Sequence, residues 1–501
     1  MDVKANKFTS VFFAALFSLS FYQITAQVGI GTTSPDPSAV LDIQSTTQGF
    51  LAPRMTTAER LAISAPAEGL TVFDTDLGAY IFYDGTDWTK LVNNNVERDN
   101  YKLIKSTDLL STVLADELAA GGGAAYVLDE NTLYEINGQV DFDFPIDLNN
   151  AYIIGDDTNE DIITASGGFA LFEGANGGSL RDMTIYANLG SSVFNLNLGT
   201  SQRLVMRGLV MAGLGSGTVG TIASTAGSGA LIFMSVIQFA LFTNGITFNN
   251  IDTILIDNVG WLANNAGVME TFTGTFDIIA QTGGFFVVDS GETGVDVSSN
   301  PTITNNASLQ TITFSGAGDL VNAYTTGTYT GYNFTNDWDV NCPGIPVESD
   351  QTAQGDLNLT APVGSGFTTT FSGTGTASRI KLNGTTTTNT LFRFTASGNN
   401  RLVYAGSDTR YFNVVSSLSF QSSANNTIYI LYIAKGNSGD ATATVVEETR
   451  VYRSSGAVGD IGAVSVIGTI ELAPGDFIEV WAERYSGSGS VLTVSLNLTI
   501  N

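Results

Sequence analysis

Between residues 180 and 314 apolar clusters return at a near-constant interval, and that interval restricts the fold more than any other feature of the chain. Leu180, Met183 and Ile185 are followed by Leu204, Met206 and Leu209, then by Leu231, Phe233 and Ile237. Ile254, Ile256 and Val259 come next, then Ile278, Phe285 and Val287, then Ile303, Ile312 and Phe314. The starts lie roughly two dozen residues apart, about one turn of a parallel β-solenoid. A coil of that length supplies short strands whose inward side chains rest on the next coil. An antiparallel sandwich is the alternative, and it would show cleaner alternation than Ala230 to Ile237 or Phe285 to Val288. Near-continuous apolar runs belong to parallel strands buried on both faces. The expected fold class is all-β, with a right-handed parallel β-helix (β-solenoid) over 121–346 and a C-terminal β-sandwich over 351–501.

The spacers between clusters carry turn chemistry. The chain has 55 glycines. Asparagine pairs fall at Asn249 and Asn250, Asn264 and Asn265, and Asn305 and Asn306. Asparagine tolerates left-handed backbone angles, so each pair is expected in a turn, with stacked amide ladders as a further option. Helical signals are confined to Thr56–Ile63, with Thr56 and Glu59 spaced as a capping box, and to Ser106–Ala119, which runs into Gly121, Gly122 and Gly123. Residues 93–120 are therefore read as a short helical connector.

The first 26 residues place Lys4 and Lys7 ahead of an apolar stretch from Phe8 to Phe21, then Ile24, Thr25 and Ala26 before Gln27. That order is read as a secretory signal peptide over 1–26, cleaved after Ala26, and it predicts a secreted or outer-cell-surface protein. Its apolar core falls short of the ~20 residues a spanning helix needs, so no transmembrane segment is expected.

Residues 27–92 contain Val28-Gly29-Ile30-Gly31-Thr32-Thr33-Ser34-Pro35, Leu41-Asp42-Ile43, Gly49-Phe50-Leu51-Ala52-Pro53-Arg54-Met55 and Gly69-Leu70-Thr71-Val72-Phe73-Asp74-Thr75. They close with Ile81-Phe82-Tyr83-Asp84-Gly85-Thr86-Asp87-Trp88. In order and composition this region resembles the amino-terminal module of flavobacterial-type exported surface proteins and of fibre-like proteins. The resemblance implies a mounting or trimer-entry segment ahead of a variable, tailspike-like body, and no catalysis.

From about Gln351 the pattern changes. Every second residue from Leu492 to Ile500 is aliphatic, as in a sheet with one buried face. Thr427 to Ile433 is more uniformly apolar and suits a central strand, and Ala473-Pro474-Gly475-Asp476 reads as a turn between two strands. These segments resemble the closing strands of jelly-roll heads of the C1q and tumour-necrosis-factor type. The resemblance implies a homotrimer whose heads pack one sheet around a three-fold axis.

The chain has no histidine, a single cysteine and a formal net charge of −28. Without imidazole there is no Ser/His/Asp or Cys/His nucleophile, no His-ligated metal and no imidazole proton shuttle. Cys342 has neither a disulfide partner nor an activating base, which makes it a packing residue. A surface this acidic repels phosphate backbones and argues against nucleic acid. No cofactor is expected, and calcium held by loop carboxylates is the one possible addition. Asn333 to Asp339 offers oxygen ligands but puts Trp338 where a calcium loop needs glycine, and Gly213 to Gly217 lacks the lysine of a phosphate loop.

Carboxylates are the remaining catalytic option. Asp141, Asp143 and Asp147 share one parity on a possible strand, opposite Phe142, Phe144 and Ile146. Asp143 and Asp147 are the candidate pair for a tailspike-like polysaccharide depolymerase, a carboxylate-dependent glycosidase or lyase. Against it, residues 186 to 251 contain no Asp or Glu, which leaves the middle of a catalytic groove without acids. Asp and Glu in turns also bond their own backbone, a simpler role for these residues. The favoured reading is a non-catalytic adhesin-like fibre that binds a surface glycan or a protein, with Trp338, Trp481 and Tyr485 as candidate binding aromatics.

Overall fold

The computed structural model describes residues 27–91, 100–188 and 190–501. Segment 1–26, read above as an export signal, lies outside the described residues. Among the described residues no helix is long and apolar enough to cross a membrane. The chain forms two compact units, the second beginning at Arg98.

In the first unit Val28–Ile30 runs parallel to Leu41–Ile43, and Arg54–Met55, Thr71–Asp74, Ala79–Tyr83 and Trp88–Lys90 form a four-stranded sheet. The helix Thr57–Leu61 starts as its sequence predicts: the Thr56 hydroxyl accepts from the Glu59 amide while the Glu59 carboxylate accepts from the Thr56 amide. Arg60 pairs with the buried Asp74 at 2.9 Å and lies over the Trp88 ring.

The second unit opens as a parallel β-solenoid. One sheet climbs through Tyr101–Lys105, Leu133–Asn137, Tyr152–Ile154, Gly178–Arg181, Arg203–Leu214, Leu231–Ala240, Thr253–Trp261, Thr275–Val287, Thr302–Gln310 and Trp338–Asn341. A nine-stranded sheet climbs beside it from Tyr126–Val127 to Asp319–Asn322. Every pairing in both is parallel, and Leu231, Thr253 and Ile278 stand opposite one another on successive rungs, 22 and 25 residues apart in sequence.

Inward residues form columns. Leu204, Ile232, Ile254 and Ile279 stack rung on rung, each no more than 1% exposed. Met211, Phe239, Trp261, Phe286 and Phe314 make an aromatic column beside them. The nine-stranded sheet adds Phe248 over Phe272, with rings stacked at 5.5 Å. Each such side chain contributes about 1.5–3 kcal/mol of burial.

Two expectations need correction. Leu231, Phe233, Ile278, Phe285 and Val287 are only partly buried, and the neighbours Ile232, Met234, Ile279, Phe286 and Val288 face the core instead. A continuous apolar run does not disclose its parity, so the phase of those coils was not readable. Residues 101–105, assigned to the helical connector, form a strand parallel to Leu133–Asn137. The helices Leu110–Val113 and Ala115–Ala120 follow it, tied back by Lys102 to Glu117 at 2.7 Å and Tyr134 to Glu117 at 2.7 Å.

One solenoid corner is a column of left-handed residues. Asp182, Gly208, Val236, Asn258, Gly283 and Thr311 occupy equivalent positions on six rungs, with φ between 52° and 67°. The asparagine pairs do not form one ladder. Asn250 turns a different corner, Asn265 caps the Phe239 and Leu262 carbonyls, and Asn305 and Asn306 lie within the strand Thr302–Gln310.

The remainder is an antiparallel β-sandwich. A six-stranded sheet places Gln354–Thr360 beside the last strand, Val491–Ile500, which pairs with Arg410–Ser422 and through it with Ile461–Leu472. The seven-stranded sheet centres on Thr427–Gly436 and Phe477–Ser486. Leu357, Leu418 and Leu498 meet Tyr429, Leu431 and Val480 in the core between them.

Candidate functional site

Asp143 and Asp147 do not share a strand. Pro145 has no amide to donate, and the chain turns there from Gln139–Phe142 in the long sheet to Ile146–Asp147 in the nine-stranded sheet. Asp143 accepts from the Tyr126 hydroxyl at 2.7 Å, which, with burial, raises that phenol's pKa. Asp147 accepts from the Asn149 amide at 3.0 Å and from the Asn176 side chain at 3.2 Å. Both are joined to neighbouring turns. Asp161 behaves likewise: burial raises its carboxyl, but the amides of Asp156, Asp157 and Gly138 outweigh that and hold it below the ordinary value.

The three aromatic candidates are dispersed. Trp338 is 1% exposed, packs on Phe334 and Phe272, and donates its indole N–H to the Tyr324 hydroxyl at 3.0 Å. It has no face left for a ligand. Trp481 is half-buried and donates to Glu479, a carboxylate that also holds Lys381 and Arg401. Tyr485 is 51% exposed and meets the exposed Tyr452 edge to face at 5.6 Å, so this pair presents an open aromatic surface on the seven-stranded sheet. Cys342 is buried, and burial raises its thiol pKa.

Solenoid and sandwich meet at a buried ion pair that sequence reasoning missed. Arg393, 3% exposed, reaches from the sandwich to Asp350 and donates to the backbone carbonyls of Trp338 and Glu348. Burial pushes the Asp350 carboxyl up, and Arg393 with the amides of Asp408 and Ser407 more than reverses this, leaving it below its usual range. Glu348 accepts from the Asn333 and Phe334 amides at 2.8 and 2.9 Å, yet burial still raises it. Above this clamp an open cleft of about 570 Å³ is lined by Asp337, Asp339, Asp408 and Arg410. The cleft is polar, and the only aromatic in its wall is the buried Trp338.

Two surfaces expose more apolar area than isolated side chains account for. In the first unit Val28, Ile30, Val40, Leu41, Phe50 and Leu51 are 50–79% exposed. On the outer face of the six-stranded sheet, Tyr411 and Ile467 are 67% and 63% exposed, Val415 lies directly across from Ile467, and Ile461 is 52% exposed. The alternation that fills the sandwich core also sets these residues on the opposite face.

The family described as phage tail-like trimerisation region matches residues 29–103. No curated protein matches the chain. Among solved structures, murine APRIL at pH 8.0 is 13% identical, with 30% of this chain and 98% of that chain covered and a TM-score of 0.20. The enzymatically active domain of tailspike protein 4 from bacteriophage CBA120 is 11% identical over 90% of this chain and 77% of that chain, with a TM-score of 0.25. WceF of Pantoea stewartii, a glycan biofilm modifying enzyme with a tailspike-like parallel β-helix, is 10% identical over 88% of this chain and 71% of that chain, with a TM-score of 0.22. The fold itself rests on the strand register, and residues 29–103 are similar to a phage tail-like trimerisation region, most of which precedes the parallel β-solenoid in the sequence.

Proposed function

We propose that the protein is an exported, homotrimeric surface fibre of adhesin type, mounted through its first unit and presenting a solenoid shaft and a sandwich head to a glycan or protein partner. The observation that carries this reading is the match of residues 29–103 to a trimerisation region, within which Ile30, Val40, Leu41, Phe50 and Leu51 lie bare on a single copy. Partner copies that cover them remove a large apolar area from water. The face bearing Tyr411, Val415 and Ile467 is a second surface for the same contact. Binding needs no turnover, which fits acids spent on turn amides. Native mass spectrometry of the mature chain tests the assembly. Three times the chain mass is the expected result, and a monomer at micromolar concentration overturns the reading.

A depolymerase is the second reading, favoured by the cleft that gathers Asp337, Asp339 and Asp408. Release of reducing ends from a polysaccharide panel, lost in Asp339→Asn or Asp408→Asn, would establish it over the adhesin.

A further inference from the structure

Between residues 106 and 378 the chain carries only three cations, Arg181, Arg203 and Arg207, and all three stand on the same outer face of the long solenoid sheet. Along Arg203–Leu214 the inward residues Leu204 and Met206 are buried while Arg203 and Arg207 are exposed. Arg181 and Arg207 are directly opposite on adjacent rungs. Strand spacing sets their backbones roughly 4.8 Å apart. Like charges in that relation destabilise a sheet. Among the described residues none of the three has a carboxylate within ion-pair distance.

The surroundings make the arrangement more pointed. From 176 to 251 the only acidic residue is Asp182, so these coils form a positive belt on a strongly acidic shaft. Arg181 is also held in place: its Nε donates to the Ser179 hydroxyl at 2.9 Å, and its guanidinium lies 5.8 Å from the centre of the Tyr152 ring. Tyr152 is 49% exposed and stands on the same face. A fixed guanidinium, a second one a rung above and an open aromatic ring form a surface that reads a carboxylate or sulfate next to an apolar ring face.

We propose that Tyr152, Arg181, Arg203 and Arg207 form a shaft binding site for an acidic glycan, with the sugar ring against Tyr152 and its anionic group shared by Arg181 and Arg207. The acidic coils on either side reject a densely charged polymer and select a chain with sparse anionic groups. Nucleic acid is disfavoured on the same ground. The inference rests on the binding reading above and adds the ligand class and the residues.

The test uses the full chain and isothermal titration with sialyl- and glucuronosyl-oligosaccharides, their carboxyl-reduced counterparts and inorganic sulfate. Binding of an acidic oligosaccharide is expected to weaken at least tenfold on carboxyl reduction and at least tenfold in the Arg181→Gln/Arg207→Gln variant. It should also weaken as salt is raised. Both arginines are surface residues, and an unchanged thermal midpoint checks that the variant is folded. Tyr152→Ala should lose oligosaccharide affinity with little change toward sulfate. Equal affinity for acidic and reduced glycans, or for sulfate and the oligosaccharide, overturns the site. Glycan binding that survives unchanged in the double variant overturns the site and leaves the adhesin reading standing, whereas a chain that binds no glycan and no protein ligand overturns both. A double variant that changes native mass instead assigns the face to contacts between copies, which also overturns the proposal.

Discussion

Gln281 donates its side-chain amide to Glu270 Oε1 at 3.1 Å inside the solenoid, where both residues replace aliphatic side chains in the inward columns. Glu270 stands between Ile246 and Val295, and Gln281 between Ile256 and Leu309. Among the described residues, Glu270 Oε2 and Gln281 Oε1 have no hydrogen-bond partner. A protonated carboxyl resolves this, since an acid facing a carboxamide can both accept from it and donate to it.

That pair makes stability depend on pH. Burial raises the Glu270 carboxyl from 4.5 to about 8, with only the Gln281 hydrogen bond opposing. The unfolded chain ionises this group near 4.5 and the folded chain near 8, so its contribution is complete below about 4.5, falls as pH rises, and is gone above about 8. The slope is about 1.4 kcal/mol per pH unit for one proton. Glu348, also raised by burial, adds the same sign. Glu270→Gln keeps an amide pair in place and should flatten the loss of thermal midpoint between pH 5 and 8; an unchanged slope would show that the carboxyl is ionised in the fold.

The corner column supplies a stabilising substitution. Val236 has φ 55° and is 50% exposed, so a β-branched residue holds a left-handed conformation without a buried side chain to compensate. The equivalent positions one rung away hold Gly208 and Asn258. Val236→Asn should raise stability by about 1 kcal/mol, read as a higher denaturation midpoint, and a lower midpoint would mean that the valine methyls are needed where they are.

How much of this was readable from residue order follows from the same column. Gly208, Asn258 and Gly283 announce a corner because these residue types tolerate its left-handed backbone, and Val236 and Thr311 do not, because the parallel register of the residues on either side imposes the corner on them. The coil period was legible since each rung must present several apolar residues inward. Its phase was not legible in Leu231–Ala240, where either parity is apolar. The acids at Asp143 and Asp147 were separated by the turn at Pro145, and Trp338 was taken into the core by Tyr324 and Phe334. The Arg393–Asp350 contact joins residues 43 apart and leaves no local trace.

That contact carries its own expectation. Asp350 is 6% exposed and depends on Arg393 for its charge partner. Arg393→Met leaves a buried carboxylate unpaired and should cost about 3–5 kcal/mol. Equilibrium denaturation checks this. The double variant Arg393→Met/Asp350→Leu should recover much of the loss, because the lone buried charge is then gone.

The outer face of the six-stranded sheet gives the sharpest test of assembly. Ile467 is 63% exposed, and its cross-strand neighbour Val415 is 38% exposed, so a charge placed there meets water in a single copy and another copy's apolar face in a trimer. Burying an unpaired carboxylate costs several kcal/mol per site, and a three-fold contact repeats it three times. Ile467→Glu should therefore shift the species measured by analytical ultracentrifugation toward smaller assemblies, or leave trimers held at the first unit with their heads apart. Its unfolding free energy, measured on dissociated chains, should stay within about 0.5 kcal/mol of the parent, as for other surface changes. Intact heads cross-linked as efficiently as in the parent would show that this sheet faces solvent in the fibre and that another face of the sandwich joins the copies.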